Sequence, residues 1–318
     1  MSFDLILPFL RPVAHLIQDP DVSEVMINAG GRVFLERAGV VSEAAGVQVS
    51  ERNLQVAVRN IARTLGDDVS DEQPILDARL PDGSRVAAVI PPCSLGGTTL
   101  TIRKFQRAFF TANELVRAGM LTDAVLGVVG AAIDGRQNVL ISGGTSTGKT
   151  TLLNALVALL PASDRIVVVE DTAELQIDQP NVVRFETRRP QLDLPPVTIR
   201  DLLKATLRHR PDRIIVGEVR GGEAYDLLQA LNTGHAGTLS TIHANSATQA
   251  LNRLASCVLQ AGVDVPYAAI RHHIADAIGL VLHLDRRLGV RRATELIRVR
   301  RYAAEADRYE IDDEAGSL

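Results

Sequence analysis

From about residue 119 the chain alternates short, wholly apolar runs with longer stretches in which apolar residues recur every three or four positions. An uninterrupted apolar run of four or five residues suits a strand buried on both faces, and the longer period suits an amphipathic helix. The pattern predicts strands over 138–142, 165–169, 213–217, 238–242 and 279–284. It predicts helices over 121–134, 149–160, 198–208, 221–232, 246–261 and 266–277. Strands and helices in alternation imply an α/β domain, a mostly parallel sheet covered by helices, over residues 119–318.

Residues 1–104 read as a smaller α+β domain. Val25–Asn28 and Arg32–Glu36 flank Ala29-Gly30-Gly31, a hairpin signal. Ser50 suits the N-cap of a helix ending near Gly66, and Pro81-Asp82-Gly83 is a turn between Leu76–Leu80 and Ser84–Ile90. Thr98–Ile102 is a further strand, and Pro91-Pro92 forbids a helix. Leu5, Phe9, Val13 and Leu16 fall on one face of an N-terminal helix, read as a packing face with membrane-surface attachment as the alternative. Residues 105–118 are polar and read as an irregular linker, and Glu305–Leu318 as a frayed acidic tail.

Composition narrows the class. The 318 residues carry a net charge of −4, so no global basic field points to nucleic acid. The arginines from Arg286 to Arg301 are local and suit the solvated end of a hairpin around Gly289. Direct nucleic-acid binding is therefore not expected. Cys93 and Cys257 cannot make a zinc tetrad or a redox motif, so no zinc is expected and a reduced cytoplasmic setting is the simplest reading. No segment approaches the roughly 18 apolar residues of a membrane span. The N-terminus lacks the basic region of a signal peptide.

The chemistry concentrates in four blocks. The first, Gly143-Gly144-Thr145-Ser146-Thr147-Gly148-Lys149-Thr150-Thr151, follows an apolar strand and opens a helix. This is a phosphate-loop pattern. Its glycines let backbone N–H groups turn around phosphate oxygens, Lys149 brings a point charge, and the Thr150 hydroxyl suits Mg²⁺. The second block is a buried strand ending in Glu170, Asp171 and Glu174. Ligands of parallel sheets sit at the carboxyl ends of strands. Glu170 and Asp171 are thus candidates to face the magnesium, the alternative being acids that cap the next helix. The third, Arg213–Arg220, ends in Glu218, which suits orientation of an attacking water. Gly217 stands where such strands commonly carry Asp. The fourth, Asn232–Asn245, carries His235 and His243, candidate γ-phosphate sensors or satisfied turn residues.

Together, and in this order, the blocks resemble the secretion ATPase superfamily of type II secretion, type IV pili, Tad pili and conjugative type IV secretion. The phosphate loop, an acidic box, a Walker B strand of Gly-Glu type and a histidine box recur there, over nearly the whole chain. Arg-Pro-Asp-Arg-Ile-Ile-Val-Gly-Glu-Val-Arg (210–220) and Thr-Ile-Arg-Lys-Phe (101–105) look closest to the CpaF-like Tad and TrbB-like conjugal-transfer branches. One departure is Ser146, where a glycine is common, which stiffens the loop. The resemblance implies a RecA-like ATPase domain and ATP with Mg²⁺. Lys149, Glu170 and Glu218 would be catalytic, and Thr150, Glu170 and Asp171 would serve the metal. Residues 143–151, His235 and His243 would bind nucleotide, with Arg85 and Arg103 reaching it from the N-terminal domain. It further implies a homo-hexamer at an inner-membrane platform protein, cytoplasmic and peripheral. A nucleic-acid motor and an ATP-gated scaffold remain the alternatives.

Overall fold

The computed structural model describes residues 2–105, 110–188, 194–287 and 289–314. Parts of two expectations, residues 106–109 of the linker and 315–318 of the tail, lie outside them. The chain divides into two compact units at Ala108/Phe109.

The first unit begins with 3-10 turns at Ser2–Leu5, Leu7–Phe9 and Arg11–Val13, then helix α1 (Ala14–Gln18). The continuous amphipathic helix expected here does not form. Pro8 and Pro12 lack the N–H a helix interior needs and cut the segment into turns. The buried set is accordingly Ile6, Leu10, Val13, Leu16 and Ile17, while Leu5 is 41% exposed. Six strands follow: β1 (Val22–Ile27), β2 (Arg32–Arg37), β3 (Val40–Gln48), β4 (Ile75–Arg79), β5 (Arg85–Val89) and β6 (Thr99–Arg103). They form one antiparallel sheet in the order β3-β2-β1-β6-β5-β4. Helix α2 (Glu51–Thr64), capped by Ser50, buries Leu54, Val58 and Ile61 in the core of this unit.

The second unit holds helices α3 (Ala112–Arg117), α4 (Asp123–Asp134), α5 (Lys149–Val157), α6 (Ile199–Thr206), α7 (Glu223–Asn232), α8 (Ala247–Leu259) and α9 (Tyr267–Ala277). Its strands are β7 (Val139–Gly143), β8 (Ile166–Glu170), β9 (Val182–Glu186), β10 (Arg213–Val219), β11 (Leu239–His243), β12 (Leu280–Arg287), β13 (Val290–Ala303) and β14 (Arg308–Asp313). The sheet order is β14-β13-β12-β7-β11-β10-β8-β9. Pairing is parallel from β12 through β9, and antiparallel from β12 to β14. Successive strand residues alternate between two cores, Ile214 and Val216 into one and Ile215 into the other. Helices α6 to α9 pack into the first core and α3 to α5 into the second. A sheet covered on both faces needs the continuous apolar strands seen in the sequence.

Two local expectations are corrected. The 105–118 stretch is not wholly irregular, because Thr111 and Glu114 form a reciprocal capping box that starts α3. The tail is not frayed from residue 305, because β14 pairs with β13. Cross-strand ion pairs line that ladder: Arg298–Glu314 at 2.8 Å, Arg301–Glu310 at 2.6 Å, and Arg300–Asp312. Much of the arginine run is thereby matched by acids of the next strand.

Candidate nucleotide site

The carboxyl ends of β7, β8, β10 and β11 lie along one edge of the sheet, and the phosphate loop leaves β7 there. Gly148 is the N-cap of α5 at φ +97°, a left-handed conformation, and a Cβ would sit 2.9 Å from Met120 Cε. No side chain caps α5, whereas Thr111, Thr122, Thr198 and Ser246 cap α3, α4, α6 and α8. The first N–H groups of α5 therefore face the loop's concavity, where an anion would complete them. Thr147 Oγ1 donates to Gly144 O at 3.0 Å and tightens the loop.

Lys149 is buried, and its ammonium donates to Gly143 O at 3.0 Å and Gly144 O at 2.7 Å. It also lies 3.3 Å from His243 Nδ1. The other ring nitrogen, Nε2, lies 2.7 Å from Glu218 Oε1. An ammonium beside Nδ1 and a carboxylate beside Nε2 select the tautomer with its proton on Nε2. Glu218 Oε2 in turn accepts from Arg220 Nε at 2.7 Å, and Arg220 Nη1 lies 3.2 Å from Asp171 Oδ2. Four charged groups and a histidine thus run in a line from the loop across β11 and β10 to the end of β8. Burial pushes the Lys149 ammonium below its ordinary pKa, with Arg220 adding to the effect and Glu218 opposing it. Burial likewise pushes His243 down, against the pull of Glu218 and with help from Lys149, Arg220 and Arg253. His243 is therefore neutral at pH 7.

Glu170 is bonded to backbone N–H groups of the segment that follows β8, which is not helical. It is 2% exposed, and its Oε1 accepts from the N–H groups of Glu174 and Leu175, each at 2.8 Å. Its Oε2 lies 3.5 Å from Arg184 Nη2. Burial raises its pKa, only partly offset by those N–H groups and by Arg184. Its methylenes also account for Gly217: a Cβ there would stand 3.0 Å from Glu170 Cγ. Asp171 is engaged by Arg220 and by the Thr187 hydroxyl at 3.0 Å. Among the described residues no group of three His, Cys, Asp or Glu could hold a metal ion.

His235 precedes β11, at the opposite edge of the sheet from His243, which ends that strand. There its N–H donates to Ala230 O at 3.3 Å and its Nδ1 lies 3.2 Å from the same oxygen, at the end of α7. In the other unit, Arg85 and Arg103 are direct cross-strand neighbours on β5 and β6, and Glu24 lies opposite Arg103 on β1.

Several residues escaped the sequence. Arg220 stands two positions after Glu218 and gives no signal except proximity. Ser142 Oγ lies 2.8 Å from His283 Nδ1, a buried pair made by the β7–β12 pairing. Arg291 Nε donates to Ser146 O at 3.1 Å from β13. Asn245, Gln249 and Arg253 join Gly144, Thr145 and His243 around a cleft of about 420 Å³ beside the loop.

The model of the family described as type II/IV secretion system protein matches residues 10–310. The chain belongs to this family. A probable conjugal transfer protein TrbB of Sinorhizobium fredii is 38% identical over 302 residues, covering 94% of this chain and 89% of that one. The crystal structure of the VirB11 ATPase from the Brucella suis type IV secretion system, in complex with sulphate, is 30% identical. It covers 92% of this chain and 94% of its own at a TM-score of 0.50. The Legionella pneumophila ATPase DotB has a TM-score of 0.65 at 22% identity, over 95% of this chain and 82% of its own, which speaks to the fold alone. The secretion superfamily expected from the four blocks is thus the right one, and its conjugal-transfer branch is represented among these relatives. Among the described residues no helix is long and apolar enough to cross a membrane.

Proposed function

We infer that this secretion-family chain is a Mg²⁺-dependent ATPase. It assembles as a homo-hexamer and drives conjugal or type IV export, or pilus assembly, against an inner-membrane platform protein from the cytoplasmic side. The observation that carries the reading is the line from Lys149 through His243 to Glu218 at an uncapped helix start.

The loop N–H groups and the α5 terminus bind phosphate oxygens. Lys149 exchanges the carbonyls of Gly143 and Gly144 for those oxygens, a charge-assisted and therefore stronger partner. Thr150 would hold a Mg²⁺, which would supply positive charge against the phosphates of the nucleotide. Glu218 orients the attacking water and accepts its proton. His243, whose Nε2 lies 2.7 Å from that carboxylate, registers the loss of Lys149 from its Nδ1. Relatives named as conjugal transfer and type IV secretion proteins support the export role.

The test combines Mg²⁺-ATP turnover, ADP binding and light-scattering mass. Glu218→Gln should cut kcat by about 10²- to 10³-fold with ADP affinity kept, since it removes the proton acceptor. Lys149→Ala should abolish ADP binding in a folded protein. The particle should weigh about six times the 34.3 kDa chain. Full turnover in Glu218→Gln would overturn the assignment.

A further inference from the structure

Ser146 adopts φ +59°, the left-handed region, in which a side chain other than glycine's is strained. It sits at the turn of the phosphate loop, just where the family resemblance leads one to expect glycine. A strained residue persists only where its surroundings hold it. The holding group comes from a distant part of the chain. Arg291, near the start of β13, donates from Nε to Ser146 O at 3.1 Å. Its Cδ lies 3.5 Å from where a Cβ of Gly148 would be, so its stem lies against the same turn. Strand β13 is itself tied down beside the loop, because Ala293 N donates to Met120 O at 2.8 Å. Met120 Cε in turn closes on Gly148. Arg291 and Met120 together wall the outer side of the turn.

We propose that Arg291 is a positioning residue for the phosphate loop: its hydrogen bond to the Ser146 carbonyl holds the strained turn in the conformation that receives nucleotide phosphates. The stiffening that Ser146 brings is useful only while that clasp is made. Without it the Ser146 backbone relaxes to negative φ and the N–H groups that follow turn away from the phosphates. Glycine at 146 would hold the turn without help, since it populates positive φ freely. The inference rests on the nucleotide-site reading but makes a claim about the loop that is measurable without nucleotide.

The experiment is a two-residue cycle of wild type, Arg291→Ala, Ser146→Gly and the double variant, read in two ways. Amide hydrogen exchange of the peptide spanning 143–151 in the nucleotide-free protein should rise about tenfold in Arg291→Ala, the order expected when a left-handed residue loses its support. In the Ser146→Gly background the same change should be less than twofold. Labelled ADP affinity and the KM for ATP should follow, weakening about tenfold in Arg291→Ala and recovering in the double variant, the change in Arg291→Ala falling on KM rather than on kcat. Arg291→Lys keeps the stem and the charge but not the Nε–H, and should resemble Arg291→Ala. An Arg291→Ala effect equally large in both backgrounds, or absent in both, overturns the clasp. A wild type that binds no ADP would remove the functional reading, while the exchange cycle would still decide the clasp.

Discussion

The two edges of the eight-stranded sheet treat polar groups in opposite ways. At the amino edge Asn138, Asp164 and Arg213 are buried and matched. Asn138 Oδ1 accepts the N–H groups of Gly237 and Thr238 at 2.8 and 2.9 Å, and its Nδ2 donates to Ala277 O at 2.7 Å. Arg213, 2% exposed, meets Asp164 at 2.7 Å and donates to Ile133 O at 3.1 Å. These residues stand before β7, β11, β12, β8 and β10, and lace the strand starts to α4. At the carboxyl edge, the side chains of His243 and Arg220 are 44% and 55% exposed, and the charged line around them rests partly on loop carbonyls that an anion can replace. Buried polar networks that are fully satisfied rigidify, whereas groups poised for a ligand keep exchangeable partners. The contrast separates stability from chemistry within one sheet, and it places His235 with the first and His243 with the second.

The largest expected effect is on the amino edge. Arg213→Ala leaves Asp164 buried beside Arg136 alone, and such losses typically cost about 3–5 kcal/mol. Urea unfolding should show that loss, while ADP affinity of the folded fraction stays within about threefold. A stable Arg213→Ala variant with lost ADP binding would erase the division between edges.

Glu170 sharpens the comparison because it stands at the carboxyl edge yet is built like the amino one. Glu170→Ala should cost about 1–3 kcal/mol, the penalty for stranding the N–H groups of Glu174 and Leu175. Glu170→Gln keeps an acceptor oxygen for both, and burial already disfavours the charge. It should therefore leave the urea midpoint nearly unchanged and Mg²⁺-ATP turnover within a few-fold. Loss of Mg²⁺ dependence in Glu170→Gln would return the residue to the reacting centre.

What the sequence disclosed follows from which forces act locally. Strands β7, β8, β10 and β12 carry apolar runs that reach both faces, so their composition announces them to within a few residues. Strands β13 and β14 carry Arg298, Arg300 and Arg301 opposite Glu314, Asp312 and Glu310, and pairing across a ladder leaves no local period. The same holds for the site. Lys149 and Glu218 announce themselves by spacing, whereas Arg220, Arg291 and the Ser142–His283 pair come together only through strand order. Linear nearness misled at His235, which eight residues and one strand separate from His243.

The smallest effect is on pH dependence, at a group that belongs to both edges' logic. His283 is 5% exposed in the middle of β12, bound to Ser142 directly before the phosphate loop. Burial pushes its pKa below the ordinary 6.5, with Lys149 adding to the shift and Glu295 and Asp285 opposing it. Because the folded pKa is the lower one, the unfolded chain binds more protons between the two values, and stability rises with pH there. The contribution is complete above about pH 6.5 and is lost as pH falls towards the folded pKa. His283→Asn retains a side chain able to bond Ser142 but cannot titrate. Its urea midpoint should fall less than that of wild type between pH 7.5 and 5.5. Parallel curves for the two proteins would mean that His283 is protonated in the fold without cost, and that the strand leading into the loop tolerates a charge that its burial argues against.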